Sequence, residues 1–80
     1  MIHELKTWPE YFQEVFMDHK KFELRKDDRN YQVGDHLILK EWEMKGHYFT
    51  GRELARVVTY ILRDAPEFGL QEGYVLMSIG

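Results

Sequence analysis

The stretch His19–Arg29, HKKFELRKDDR, decides how the chain is read, because it sets one apolar pair, Phe22 and Leu24, among basic and acidic side chains. In an extended chain successive side chains point to opposite faces, so Phe22 and Leu24 share one face and Lys21, Glu23 and Arg25 the other. The pattern predicts a strand over 21–25 with one wet, charged face. Five cations (Lys20, Lys21, Arg25, Lys26, Arg29) against three anions (Glu23, Asp27, Asp28) give the segment a balance of +2, in a chain whose formal net charge is −3. This local reversal of sign marks a place for an anionic partner, although a solvated surface strand carries the same pattern.

Upstream, Ile2 to Lys6 alternates weakly and reads as a first strand. Thr7 and Glu10 then stand three apart as a capping box, Pro9 sits in the first turn where its missing N–H costs nothing, and Trp8, Tyr11, Phe12, Val15 and Phe16 follow at helical spacing. One amphipathic helix ending near Met17 is expected. Downstream, 26–30 is a loop by composition and Val33-Gly34-Asp35 a tight turn that introduces the run Leu37-Ile38-Leu39. That strand extends to Met44, turns at Lys45-Gly46 and returns from His47, with Thr50-Gly51-Arg52 as a bulge before pairing resumes through Leu62. Residues 63–73, with Pro66, Gly69 and Gly73, form a loop, and Tyr74 to Ile79 is the last strand.

Strand, helix, strand and then three or more strands exclude a doubly wound parallel sheet. The expected class is α+β, mostly β: one domain over 1–80, a small, mostly antiparallel barrel or strongly curled sheet with a helix over an opening, since closure hides edges that so short a chain cannot otherwise cover. With 80 residues, 44% hydrophobic and 15% aromatic, large rings supply much of the buried area. Cysteine is absent, which excludes disulfides, thiolate metal sites and a cysteine nucleophile. No segment approaches the roughly 20 apolar residues of a membrane span, and the expected location is the cytoplasm. A pI near 5.7 argues against indiscriminate coating of nucleic acid, so such binding would come from a local patch.

Lys20, Glu23 and Arg25 combine a cation, a carboxylate and a planar guanidinium within six residues. Glu23 could hold the Arg25 guanidinium while its other donors meet a phosphate or a base edge, with Lys20 at the turn pointing into the same space; a surface ion pair with solvated lysines is the bland alternative. Histidines 3, 19, 36 and 47 lack metal-motif spacing, and no metal or other cofactor is expected; His36 and His47 could face each other across the hairpin, with ordinary cross-strand packing the default. Thr7, Thr50, Thr59 and Ser78 sit in no nucleophile motif. Among Tyr31, Trp42, Tyr48, Tyr60 and Tyr74, a ring beside Arg25 or Arg29 could stack a single-stranded base, with core packing the default for each.

The segment DHKKFELR resembles the G-x-K-x-x-E-x-R signature of ASCH domains in the PUA-like superfamily. IHELKTWPEYF, FELRKDDRNYQVGD, YFTGRE and GYVLMSI are similar to successive blocks of DUF3850, a small bacterial and phage family within it, so that the resemblance covers nearly the whole chain. It implies a compact PUA-like β-barrel with a helix beside a cleft lined by Lys20, Glu23 and Arg25, meeting RNA or a modified nucleobase. Asp18 stands where the signature has glycine. A related group of ASCH-type enzymes that deacylates N4-acetylcytidine uses a threonine where this chain has Glu23, so that nucleophile is absent. The reading is therefore a binding module for RNA or another single-stranded element, in which Arg25, Arg29 and Lys20 contact phosphate or base edges and Glu23 orients Arg25 or accepts from an exocyclic amine. The alternative is a hydrolase of a modified nucleoside with Lys20 and Glu23 as catalytic groups. A third reading is an accessory protein that binds another protein through a sheet edge.

Overall fold

Alternation along the first strand shows where the core lies. In Ile2–Thr7 (β1), His3, Leu5 and Thr7 are buried while Ile2, Glu4 and Lys6 face outward. The computed structural model describes residues 1–80 and continues with the helix Pro9–Phe16 (α1) and the strands Phe22–Lys26 (β2), His36–Glu43 (β3), Tyr48–Leu62 (β4) and Tyr74–Ile79 (β5). A single 3-10 turn, Pro66–Phe68, interrupts the last loop. The spatial order is β1-β3-β4-β5-β2, with β1 parallel to β3 (Leu5 beside Leu39) and every other pair antiparallel. Phe12 and Val15, three apart on α1, enter a core made by Leu5, Leu37, Leu39, Val58, Val75, Met77, Ile79 and Tyr31. The other face of the helix leaves Tyr11 and Phe16 exposed.

One long strand holds the sheet together. The first part of β4 pairs with β3 as far as Val57 beside His36, and a register shift between Val58 and Tyr60 then turns it onto β5. A second irregularity lies opposite residues 50–52, where the partners of Lys40 and Trp42 are Glu53 and Phe49. Gly51 there has φ +96, a conformation that glycine adopts without the Cβ penalty, and the bulge expected at Thr50-Gly51-Arg52 is present.

Four expectations are corrected. The sheet is not a closed barrel: β1 and β2 remain edges with no ladder between them. Side chains bridge that gap instead. Arg25 Nη2 donates to the Lys6 carbonyl and Arg29 Nη1 to the Glu4 carbonyl, both at 3.0 Å. The capping box does not form, because with Pro9 opening the helix the cap position falls on Trp8, and Thr7 is the last residue of β1. The Thr7 hydroxyl donates to the Leu5 carbonyl and accepts from Arg25. His36 pairs with Val57, not His47; His47 occupies the hairpin turn at φ +54, edge-on to Trp42. Finally, β2 is turned over relative to the expected strand, as described with the site below.

The buried end of β1 is held by a polar cluster that periodicity alone did not reveal. Asp35, in the turn before β3, accepts from the His3 ring at 2.8 Å, from the Gln32 N–H at 2.9 Å and from the Met1 amino group at 3.0 Å. The His3 ring in turn packs edge-on against buried Tyr31 at 4.8 Å. The His3 hydrogen bond, followed by those from Gln32 and the amino group, holds the Asp35 carboxyl well below the usual carboxylate range. Burial raises the Tyr31 phenol above its ordinary value. A carboxyl with a depressed folded pKa contributes stability that is complete above its unfolded value, about 3.9, and is lost as pH falls from there toward the folded value. The thermal midpoint is therefore expected to drop on acidification below about pH 5. Asp35→Asn should lower the midpoint at pH 7 and flatten the acid limb of the curve, measured by circular dichroism melts from pH 7 to pH 2.

Candidate functional site

In β2 the alternation is as expected, but the faces are exchanged. Glu23 is 3% exposed, whereas Phe22 and Leu24 are 47% and 55% exposed. A carboxylate is buried only where cations and donors replace its water. Here Lys20 Nζ donates to Glu23 Oε1 at 2.9 Å and Arg25 Nε to Glu23 Oε2 at 2.8 Å. These are short, charge-assisted bonds, and both cations are themselves largely shielded from solvent. Lys20 makes a second bond, to the Phe22 carbonyl at 2.8 Å, and its ammonium lies 4.7 Å from the centre of the Phe22 ring. Arg25 continues across to β1, where Nη2 reaches the Lys6 carbonyl and the Thr7 hydroxyl.

The turn after α1 places Lys20. Asp18 adopts φ +60, and the N–H groups of His19 and Lys20 both donate to the Glu14 carbonyl at 3.0 Å, closing the helix end and swinging Lys20 back toward β2. A residue in the left-handed region is needed at this position. Aspartate tolerates it better than most residues do.

These groups form one wall of a cleft of about 680 Å³ between the start of α1, the end of β1 and β2. The same cleft is lined by Trp8 and Tyr11, stacked at 5.8 Å and 19° and 44% and 46% exposed, with the Lys20 ammonium 5.9 Å from the centre of the Tyr11 ring. An ammonium has three donors and a guanidinium five, so one N–H of Lys20 and the two on Arg25 Nη1 have no partner within the protein. The site thus offers cationic donors fixed by a buried carboxylate, beside a pair of flat rings.

Of the four residues anticipated from the sequence, Lys20, Glu23 and Arg25 converge. Arg29 does not enter the cleft; it is exposed and lines a neighbouring concavity. The tyrosine in the loop before β3 that could have stacked a base, Tyr31, is 1% exposed and belongs to the core. By sequence, Trp8 and Tyr11 belong to the helix's apolar spacing. The available signal was surplus: Phe12 and Val15 alone suffice to anchor a helix of eight residues. No group of three or more histidine or acidic side chains is arranged to hold a metal ion.

Removing the Glu23 charge leaves two neighbouring cations facing each other without it. Glu23→Gln is expected to reduce stability by about 3 kcal/mol, read as a fall in the urea midpoint at unchanged slope. Asp18→Gly is expected to raise stability by up to about 1 kcal/mol in the same measurement, by relieving the left-handed backbone.

The chain matches the family described as Domain of unknown function (DUF3850) over residues 2–79. It is also similar to the "Uncharacterized 12.9 kDa protein in GpA 3′ region" of Escherichia phage P2, with 48% identity over 76 residues. That alignment takes in 95% of this chain and 65% of the phage protein, so the chain spans less than two thirds of that protein's length. A match running from the first residue of β1 to the last of β5 covers every element that builds the cleft, and the chain belongs to the DUF3850 family.

Proposed function

We propose that the chain is an ASCH-type, PUA-like binding module that takes one unstacked base of a single-stranded nucleic acid, RNA in the first instance, into the cleft between α1 and β2. The observation that carries this reading is the exposed Trp8–Tyr11 pair beside the free donors of Lys20 and Arg25. Aromatic faces accept any base by stacking, and cationic donors beside them meet base edges or phosphate oxygens. A concave site of about 680 Å³ suits an everted base and its sugar. No helix or ribbon projects from it to enter a duplex groove, so a single strand is favoured over a double one. Hydrolysis of a modified nucleoside is the weaker reading, because each Glu23 oxygen already accepts a bond from a cation, an arrangement that supports holding the site in place over activating water.

The two tryptophans allow a direct test. In a Trp42→Phe background, titration with a single-stranded RNA 12-mer is expected to quench Trp8 emission. Trp8→Ala should weaken binding by about 1–3 kcal/mol, roughly 5- to 150-fold, read by anisotropy of the labelled 12-mer. Wild-type affinity in Trp8→Ala would show that the cleft is not where the strand binds. Release of acetate from N4-acetylcytidine, abolished by Glu23→Gln in protein that remains folded, would favour the hydrolase instead.

A further inference from the structure

A second concavity of about 390 Å³ opens on the far side of a ridge formed by Lys6 and Arg25, and it shares both residues with the cleft. Its walls carry Lys6, Arg25, Arg29 and Lys40, with Glu4 as the one carboxylate and Phe49 at the rim. In a chain of net charge −3, four cations from three separate segments line this concavity against Glu4, while Glu23 and Glu53, which lie outside its lining, pair with Arg25 and Lys40; Lys6 and Arg29 have no carboxylate partner.

The fold brings them together by register. Lys6 and Lys40 are partners in the parallel β1–β3 pair, on the outer face of the sheet. Lys6 Nζ lies 4.1 Å from the centre of the Trp42 ring, and Lys40 Nζ lies 5.0 Å from that of Phe49 and 3.0 Å from Glu4 Oε1. Arg25 and Arg29 reach over from β2 and the loop after it to the carbonyls of Lys6 and Glu4. Those carbonyls are two residues apart on one strand edge, a spacing of about 6.6 Å, so the two guanidinium groups lie side by side along β1. Each arginine uses only part of its donor fork on the backbone.

We propose that this concavity is a phosphate-binding subsite. On the reading of the cleft as a base site, on which this inference rests, the bound strand crosses the Lys6–Arg25 ridge and its neighbouring phosphodiester lies among Lys6, Arg29 and Lys40. The ligand is then an oligonucleotide. A free nucleoside would fill the cleft and leave the second concavity without an anion. Glu4 limits affinity, since it neutralises Lys40 at the place where phosphate enters.

The test is affinity for a labelled single-stranded 12-mer, as RNA and as DNA, measured from 50 to 300 mM salt. Arg29→Gln/Lys40→Gln is expected to reduce the slope of log K against log salt by about 0.7, the contribution of one phosphate contact on a single strand, and Lys40→Gln alone by a part of that. Glu4→Gln is expected to tighten binding at low salt. Lys40→Gln is expected to leave the quenching of Trp8 by cytidine unchanged. Lys40 is held only by side chains, so Lys40→Gln reads the slope even if loss of the Arg29 bridge perturbs folding. A wild-type slope in Lys40→Gln, while Trp8→Ala still loses binding, would overturn the subsite and leave the base cleft standing. Failure of the 12-mer to quench Trp8 in any variant would remove both.

Discussion

The buried carboxylate of Glu23 is the constraint on which the site depends. A charge that is 3% exposed must be surrounded by partners, and it draws one from each side: Lys20 from the turn after α1 and Arg25 from its own strand. Satisfying Glu23 therefore orients β2, because turning Glu23 and Arg25 inward obliges Phe22 and Leu24 to face out. It also aims the Arg25 guanidinium across the gap at β1. The cleft is the space left between this polar wall and the first turn of α1.

That same arginine explains why the sheet stops short of closure. The edges of β1 and β2 approach one another without a backbone ladder, and Arg25 and Arg29 stand in for the missing donors along β1. Exposed edges invite pairing with other chains, and charged side chains along them are a common protection. Here the protection leaves cationic groups at the surface on both sides of a ridge. The cleft and its neighbouring concavity are thus two consequences of one unpaired seam.

The rest of the fold is arranged to hold that seam at a fixed width. β4 changes partners at the irregularity between Val58 and Tyr60, so one continuous strand carries β3 and β1 on one half and β5 and β2 on the other. The polar cluster of His3, Asp35 and Gln32 ties the start of β1 to the turn before β3. Arg56 Nη2 donates to the Val15 carbonyl at the open end of α1, and Arg52 lies over the Phe12 ring, which fastens the helix to β4. Each tie joins segments far apart in the chain.

Local pattern determined a good deal. The strand ending at Ile79, the turn at Gly34, the bulge at Gly51 and the helix start at Pro9 follow from spacings of a few residues, where backbone preference and period leave few alternatives, whereas Lys20, Glu23 and Arg25 were by spacing equally a surface ion pair and only the family resemblance pointed to a cleft. What those spacings leave open is which face is covered and by what. A period of two divides β2 into two faces and is silent on which is buried; β5 and the cations around Glu23 decided that. Trp8 and Tyr11 fit a helix's apolar spacing equally well whether core or cleft receives them, and in the fold only Phe12 and Val15 of α1 are buried. Arg25 meets its β1 partners 18 and 19 residues away, and the open seam arises from how the two edge strands come to lie. The sequence by itself thus determined the elements and offered the three charged residues as candidates, whereas the tertiary structure alone decided that they converge and which way they face, because burial is a property of the surface that arrives from elsewhere in the chain.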